Sequence, residues 1–510
     1  MATNFAEPRF SGRQPVIIGL GVMIATFVIG GLYLLTVTDI DTGIPYPEVL
    51  PWLLPLTVLF AVPCLILKYH GKFRLDNPIV FATLSYFGPA FIIGGFTVAT
   101  GLSHPYFLDL IQDAKENFPF TMIIVMLGYG GLALGYFMPV GKAAGRITAG
   151  YLPTFHFDME SYRIPALGLL AIGVINSMLS LFLGLFGYQK ASEIGIFDGL
   201  LFLTTLFWLE ASFMLWLIVF KTRKFDNTSY VILVSLISTA LLKSLFAGNK
   251  GSLIQIFIII SIAYVMSGRK FRAKHLTFAG ISLIFALIFG TIYGTTFRSV
   301  KGTEDSISAS VYADNVLTTI DKISTSDNST ALEGGLNSLA ERIDAVSSLA
   351  VVVSTYEQLA PYEEGYGLDN NITKDLVTFF VPRVIWPDKP LASEPRRYSE
   401  LYFNYGENSF IITPMGDLIR NFGLIGVPIG MFILGIILRF LYRTFIEDQP
   451  LQLWRATVFF MLLTAVSYES FYGSIVPYLF KVGTTAIIGV MFVIFLIRLI
   501  SGRRRTAEPV

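Results

Sequence analysis

The residues best placed by type and spacing to do chemistry lie in one stretch, Val381-Pro382-Arg383-Val384-Ile385-Trp386-Pro387-Asp388-Lys389-Pro390. Three prolines within nine residues set φ and remove backbone donors, so no regular helix runs through it. The stretch presents Arg383 and Lys389 from a stiff frame, and Arg396 and Arg397 follow closely. Four cations grouped in this way suit a phosphate or diphosphate, because a guanidinium fork bonds two phosphate oxygens at once. The plainer reading of the same residues is a Pro-rich connector whose charges are solvated or attract anionic lipid. Trp386, Tyr398, Tyr402, Phe403 and Tyr405 interleave with the cations. Such aromatics stack on sugar rings; they also form the belt at a membrane–water interface.

Arg298, Arg342 and Arg420 extend the set of cations, although a lone arginine at a helix end is by default an anchor. For a general base the candidates are carboxylates: Asp388, Glu394 and Asp344 first, with Glu357 and Asp417 behind them. A carboxylate beside arginine is a weakened base, since the neighbouring charge favours its ionised form. The four histidines, His70, His104, His156 and His275, all lie outside this region. No Ser-His pair or metal-ligand cluster stands out. The single cysteine, Cys64, excludes an internal disulfide and a cysteine metal cage.

These residues must be positioned by a membrane scaffold. Of the 510 residues, 54% are hydrophobic and 14% charged, against about 25% charged in a soluble domain; mean hydropathy is +0.64. A net charge of +1 and the lack of basic or zinc-knuckle motifs give no reason to expect a nucleic-acid partner. A bilayer core of ~30 Å takes ~20 apolar residues as helix. Runs of that kind fall near 15–37, 50–67, 78–100, 118–140, 163–187, 197–220, 228–246, 252–267, 276–297, 421–441, 456–473 and 482–500, with a short re-entrant piece around Tyr468–Lys481. The run after Arg9 and Arg13 is too long for a signal-peptide core and reads as a retained first span.

The expected fold is therefore all-α and polytopic, with about twelve spans. Basic residues collect in alternate connections: Lys68, Lys72 and Arg74; Lys142, Arg146 and Arg163; Lys221, Arg223 and Lys224; Arg269, Lys270, Arg272 and Lys274; Arg439, Arg443 and Arg455; Arg503 to Arg505. The positive-inside rule puts these, and both termini, in the cytoplasm. It divides the chain into an N-terminal bundle (1–297, about nine spans), a large extracytoplasmic loop with short helices (298–420), and about three closing spans (421–510). Within the loop, 331–360 has apolar residues at helical spacing. Inside the spans, Glu210 and Lys243 fall at hydrocarbon depth and Glu469 near a helix end; intramembrane charges invite a functional hypothesis.

Three features together are familiar: Pro382-Arg383 with Trp386-Pro387-Asp388-Lys389-Pro390; the run Gly416-Asp417-Leu418-Ile419-Arg420-Asn421-Phe422-Gly423-Leu424-Ile425-Gly426 entering a span; and the turn Ala247-Gly248-Asn249-Lys250-Gly251-Ser252. With them the chain resembles the oligosaccharide repeat-unit polymerases of bacterial surface polysaccharide assembly, the Wzy-type O-antigen polymerases. The resemblance implies a metal-independent glycosyltransferase of the bacterial cytoplasmic (inner) membrane, needing no cofactor. It would extend an O-antigen, capsule or exopolysaccharide. Donor and acceptor would both be undecaprenyl-diphosphate-linked glycans, and a chain-length regulator and a flippase are the implied partners. Arg383, Lys389, Arg396, Arg397, Arg342, Arg298 and Arg420 would hold diphosphate; Trp386, Tyr398 and Tyr402 would stack on sugar; Asp388, Glu394 or Asp344 would take the proton. Fixed cations would stabilise the leaving diphosphate. Two other readings stand beside this one: a ligase that moves the finished glycan to another acceptor, and a transporter or flippase of lipid-linked glycan. Transporters, however, bind near the midplane and carry repeats that are not evident in this chain.

On the polymerase reading, Arg383→Ala and Arg396→Ala abolish long-chain polysaccharide while protein level and single-repeat precursors stay normal. Gel analysis of chain length in cells carrying each variant checks this, and unchanged ladders in both would remove the diphosphate site.

Overall fold

The computed structural model describes residues 46–183, 198–222, 226–247, 250–269, 309–325, 339–381, 385–386, 394–406 and 409–506, with isolated positions between 272 and 300 and at 337. All regular structure among them is helical. Eight helices are long and apolar enough to cross a membrane: α1 (Pro47–Tyr69), α2 (Pro78–Ala99), α3 (Ala114–Phe137), α5 (Met159–Ser180), α6 (Gly199–Thr222), α7 (Asn227–Leu245), α13 (Pro414–Phe445) and α15, whose apolar part is Tyr472–Ile500. Two shorter apolar helices join them, α8 (Ile254–Met266) and α14 (Leu453–Ala465). Of the expected spans, 15–37 and most of 276–297 lie outside the described residues. The remaining helices are α4 (Pro139–Tyr151), α9 (Ala309–Thr325), α10 (Ala345–Leu359), α11 (Asn371–Thr378) and α12 (Pro395–Phe403).

The axis of the bundle is the pair α3–α13. In hydrocarbon, helices gain little from burying apolar surface against one another, so close backbone approach through small residues takes over. Gly131 and Gly135 of α3 meet the backbone at Pro428 and Phe432, and Gly141 of α4 continues the row. A Cβ at Gly141 would stand 2.6 Å from the Ile436 carbonyl oxygen. Residue numbers rise together along both partners, so α3 and α13 run parallel.

At the end of this pair where α4 finishes, charges interlock. Glu447 accepts from Arg439 at 2.6 Å and from Lys72 at 3.2 Å, and Arg74 grips Asp76 through two bonds of 2.8 and 2.9 Å. Arg443 donates to the Glu447 carbonyl. We refer to this as the basic end and to the opposite end, where α13 and α15 begin, as the loop end.

At the loop end the helices are interrupted. α13 breaks at Gly423, whose φ of 65° and ψ of −166° suit a residue without Cβ. α14 has 13 residues, about 20 Å of rise, short of the ~30 Å hydrocarbon core. Beyond Ala465 the chain runs without helix to Phe471 before α15 starts. The expected span 456–473 is thus a helix followed by irregular backbone, and the span expected at 421–441 begins earlier, at Pro414. Irregular backbone at membrane depth is stable only against protein or a polar cavity.

The 298–420 segment does not simply cap the bundle. Asp344 caps α10 by accepting from the Ser347 N–H at 2.9 Å, and Ala345 to Val353 are buried throughout. Asp344 packs close against Gly94 of α2, where a Cβ would lie 3.0 Å from the Asp344 Cα. α12 is fixed through aromatics: Phe403 contacts Phe107 and Phe410 at 5.0 Å, and the Tyr106 hydroxyl donates to the Phe403 carbonyl at 2.6 Å. A segment that reads as a polar loop therefore contributes a helix to the core.

Candidate functional site

The first two turns of α13 carry Asp417, Arg420 and Asn421, at spacings that put them on one helix face. Thr413 caps this helix, its hydroxyl accepting from the Gly416 N–H at 2.9 Å, and Pro414 takes the first position. The Arg420 side chain is 0% exposed. Its Nη1 donates to Glu363 at 2.5 Å; its Nη2 donates to Asp417 at 2.7 Å and to the Asn371 amide oxygen at 3.0 Å. Tyr402 donates to the same Glu363 oxygen at 2.7 Å, and Asn421 donates to Asn371 at 2.8 Å. The guanidinium lies 5.6, 5.9 and 5.8 Å from the rings of Tyr398, Tyr402 and Phe471.

Two carboxylates around one guanidinium leave a surplus negative charge, and the fold meets it with oriented donors. Asp417 stands in the first turn of α13, where the helix dipole favours an anion. Its Oδ2 also accepts from the Gly473 N–H, in the first turn of α15, at 3.2 Å, and from Asn371 at 3.3 Å. Both Nη atoms of Arg420 are thus paired, while its buried Nε makes no hydrogen bond. A buried ion group persists only where such pairing offsets its desolvation.

Directly beside this network is a cavity of about 410 Å³. Asp375 and Thr378 of α11 form one wall, Ser474 and Lys481 of α15 the other, and Ser467 and Ser470 of the irregular stretch the third. Asp375 is buried, whereas Lys481 is exposed and has no ion pair among the described residues. An apolar ledge adjoins the cavity: Val377, Phe380 and Phe480 are 70%, 64% and 53% exposed, and Phe480 touches Phe379 and Phe380 at 5.4 and 6.1 Å. Hydroxyls, one carboxylate and one lysine suit a polar, hydroxyl-rich or anionic ligand, and the ledge suits a hydrocarbon chain.

Among the residues singled out from the sequence, Arg298, Arg383, Asp388 and Lys389 lie outside the described residues. Arg342 is half exposed and pairs with Glu469 at 3.3 Å. Arg397, also half exposed, faces Glu394 at 3.6 Å, and Arg396 is partly buried beside it. Trp386 is 40% exposed.

Three assignments need correcting in this conformation. Tyr398 and Tyr402 are buried, and Arg420 packs on their rings, so neither offers a face to a sugar. Arg420 already directs both Nη atoms at protein acceptors, so it is a clamp rather than an open phosphate ligand. Asp344 is buried as a helix cap that also accepts from Ser103 at 2.9 Å, away from the cavity. Glu210, expected at hydrocarbon depth, is enclosed in the bundle against Gly489. The cavity residues Asp375, Ser467, Ser470 and Ser474 escaped the sequence reading, because single polar residues inside apolar runs have no periodic signature. The expectation of a re-entrant piece near Tyr468–Lys481 was the one signal that pointed there.

Arg420→Met should destabilise the fold by about 3–5 kcal/mol, since it leaves two carboxylates buried without their cation; thermal unfolding in detergent measures the loss. Burial holds the Asp344 carboxyl up at about 6, against the bonds from Ser347 and Ser103 that favour its ionised form. The ordinary value is about 4, so the folded chain binds this proton more tightly than the unfolded one. The contribution of this group to stability is then fully present below about pH 4 and is lost, by roughly 3 kcal/mol, as pH rises through about 6. Asp344→Asn should flatten that part of the stability–pH curve relative to the parent.

No curated protein and no solved structure matches the chain. A family model does, over residues 170–446, a stretch that takes in Glu363, Asn371, Asp417 and Arg420 and ends before the serines and Lys481 of the cavity. That match covers more than half of the sequence, and the chain belongs to the family it defines, DUF8712, described as a domain of unknown function.

Proposed function

We propose that the protein is a membrane-embedded glycosyltransferase that joins undecaprenyl-diphosphate-linked oligosaccharide repeat units into a surface polysaccharide. The observation that carries the reading is the cavity and its ledge. A pocket lined by hydroxyls, Asp375 and Lys481 opens beside exposed Val377, Phe380 and Phe480. That pairing matches a substrate with a sugar and phosphate head and a polyprenyl tail. The resemblance of the Pro382–Pro390 and Gly416–Gly426 motifs points the same way. On this reading the loop end faces away from the cytoplasm of a bacterium, and the distribution of Lys and Arg supports that orientation.

In the proposed reaction the acceptor hydroxyl attacks the anomeric carbon of the donor sugar. The bond from that carbon to the diphosphate oxygen breaks, and undecaprenyl diphosphate leaves with the electron pair. Lys481 stabilises the charge that grows on the leaving group. Asp375 takes the proton of the attacking hydroxyl.

A transporter of lipid-linked glycan is the second reading, favoured by two interruptions: the break of α13 at Gly423 and the end of α14 at Ala465. Discontinuous helices of this kind build midplane sites in transporters.

Proteoliposomes containing the purified protein and a synthetic undecaprenyl-diphosphate repeat unit separate the two. Products of several repeats are expected, with Asp375→Asn lowering the rate about a hundredfold and Lys481→Ala also impaired. Movement of the substrate across the bilayer without elongation overturns the glycosyltransferase in favour of the transporter.

A further inference from the structure

The cavity lies between two helices. Its apex lies where α11 and α15 begin, and there the backbones nearly touch: a Cβ on Gly473 would stand 2.7 Å from the Ile372 Cα. Farther along, the two helices meet again through the rings of Phe379 and Phe480 at 5.4 Å, and the cavity lies between these contacts. Asp375 and Thr378 line one wall, and Ser474, Tyr478 and Lys481 line the other; each set advances by three or four residues, the interval that keeps side chains on one helix face.

Both walls are tied at the apex to a single atom. Asp417 Oδ2 accepts from the Asn371 side chain at 3.3 Å and from the Gly473 backbone N–H at 3.2 Å. Asp417 Oδ1 is held in turn by Arg420 at 2.7 Å. Asp417 itself is 0% exposed and does not line the cavity.

We propose that Asp417 is a positioning residue that sets the opening of the cavity, by clamping the first turns of α11 and α15 to α13. α11 is eight residues long, and its far end carries Thr378. A small rotation at the apex therefore displaces the mouth more than the base. Loss of the carboxylate removes the one acceptor that both walls share. α11 keeps the bonds from Arg420 and Asn421 to Asn371, and α15 keeps the bond from Tyr472 to the Gly430 carbonyl. The walls pivot on these, and Asp375 and Lys481 shift relative to one another although neither is altered. Loss of Glu363, which holds Arg420 but touches neither wall, loosens the network and leaves the Asp417 bonds to both walls in place. The claim about the cavity's shape stands on geometry; its consequence for catalysis rests on the glycosyltransferase reading above.

The test is a distance measurement across the mouth in the full-length protein. Cys64→Ser removes the one native cysteine. Val377→Cys and Thr484→Cys, both at exposed positions, then carry spin labels whose separation is read by pulsed electron paramagnetic resonance. The parent should give one narrow distance peak. Asp417→Ala should lose that peak to a broad distribution, and Asp417→Asn, which keeps an acceptor, should fall between them. Glu363→Gln should lower the melting temperature and keep the narrow peak. An unchanged peak in both Asp417 variants overturns the proposal, and so does equal broadening in Glu363→Gln, which would mean general loosening. In the proteoliposome assay Asp417→Asn should raise KM by roughly tenfold, the worth of one charged hydrogen bond, with a smaller change in kcat. An inactive parent in that assay removes the glycosyltransferase reading and leaves the distances to decide the clamp.

Discussion

The Arg420 guanidinium, buried between Asp417 and Glu363, is the interaction on which the loop end depends. Removing three charges from water costs several kcal/mol for each ion, and the attraction between them offsets this only when the geometry is close and neighbouring groups take up most remaining lone pairs and protons. Here both Nη atoms of Arg420 are matched and Nε is not. That requirement gives the cluster its structural force. Glu363 must arrive from the turn after α10, Asn371 from α11, Tyr402 from α12 and the Gly473 amide from α15. Any of these segments left out of place would strand a charge. The cluster therefore selects one arrangement of chain segments that lie far apart in sequence.

The rest of the bundle works by a different principle. Along α3 and α13, glycines allow backbones to meet, so dispersion and shape do what water would do for a soluble core. Closeness there makes α3–α13 the rigid axis against which the interrupted helices stand. The break at Gly423 and the irregular stretch after Ala465 both fall at the loop end, where charged and hydroxyl groups supply partners for backbone freed from helix. At the basic end, the Arg439–Glu447–Lys72 group ties α13 to the turn after α1.

The placement of the cavity follows from these two principles. Helices α11 and α15 are drawn together at their N-terminal turns by Asp417, and farther along they meet through the rings of Phe379 and Phe480. The space between them is filled in part by serines and a threonine. An aromatic ledge beside that space gives the site two solvents at once, one polar and one like hydrocarbon. The proposed amphiphilic substrate rests on this double character more than on any single side chain.

Composition and the spacing of apolar runs determined on their own that the chain is helical and built to span a membrane, because a ~20-residue apolar run has few other stable uses. The run Gly416–Gly426 was also legible as important: it contains Asp417, Arg420, Asn421 and the break at Gly423. Its meaning was not legible. From spacing, Arg420 read as an anchor or a phosphate ligand, and Tyr398 and Tyr402 read as surface aromatics. Burial and pairing are properties of contacts between distant segments, and no local pattern encodes them. Only the tertiary structure brought Glu363 and Asn371 to Arg420, sank α10 into the core, and opened a cavity among isolated polar residues of α11, α15 and the stretch between α14 and α15. Periodicity reports which face of a helix is apolar; what that face meets depends on the whole chain.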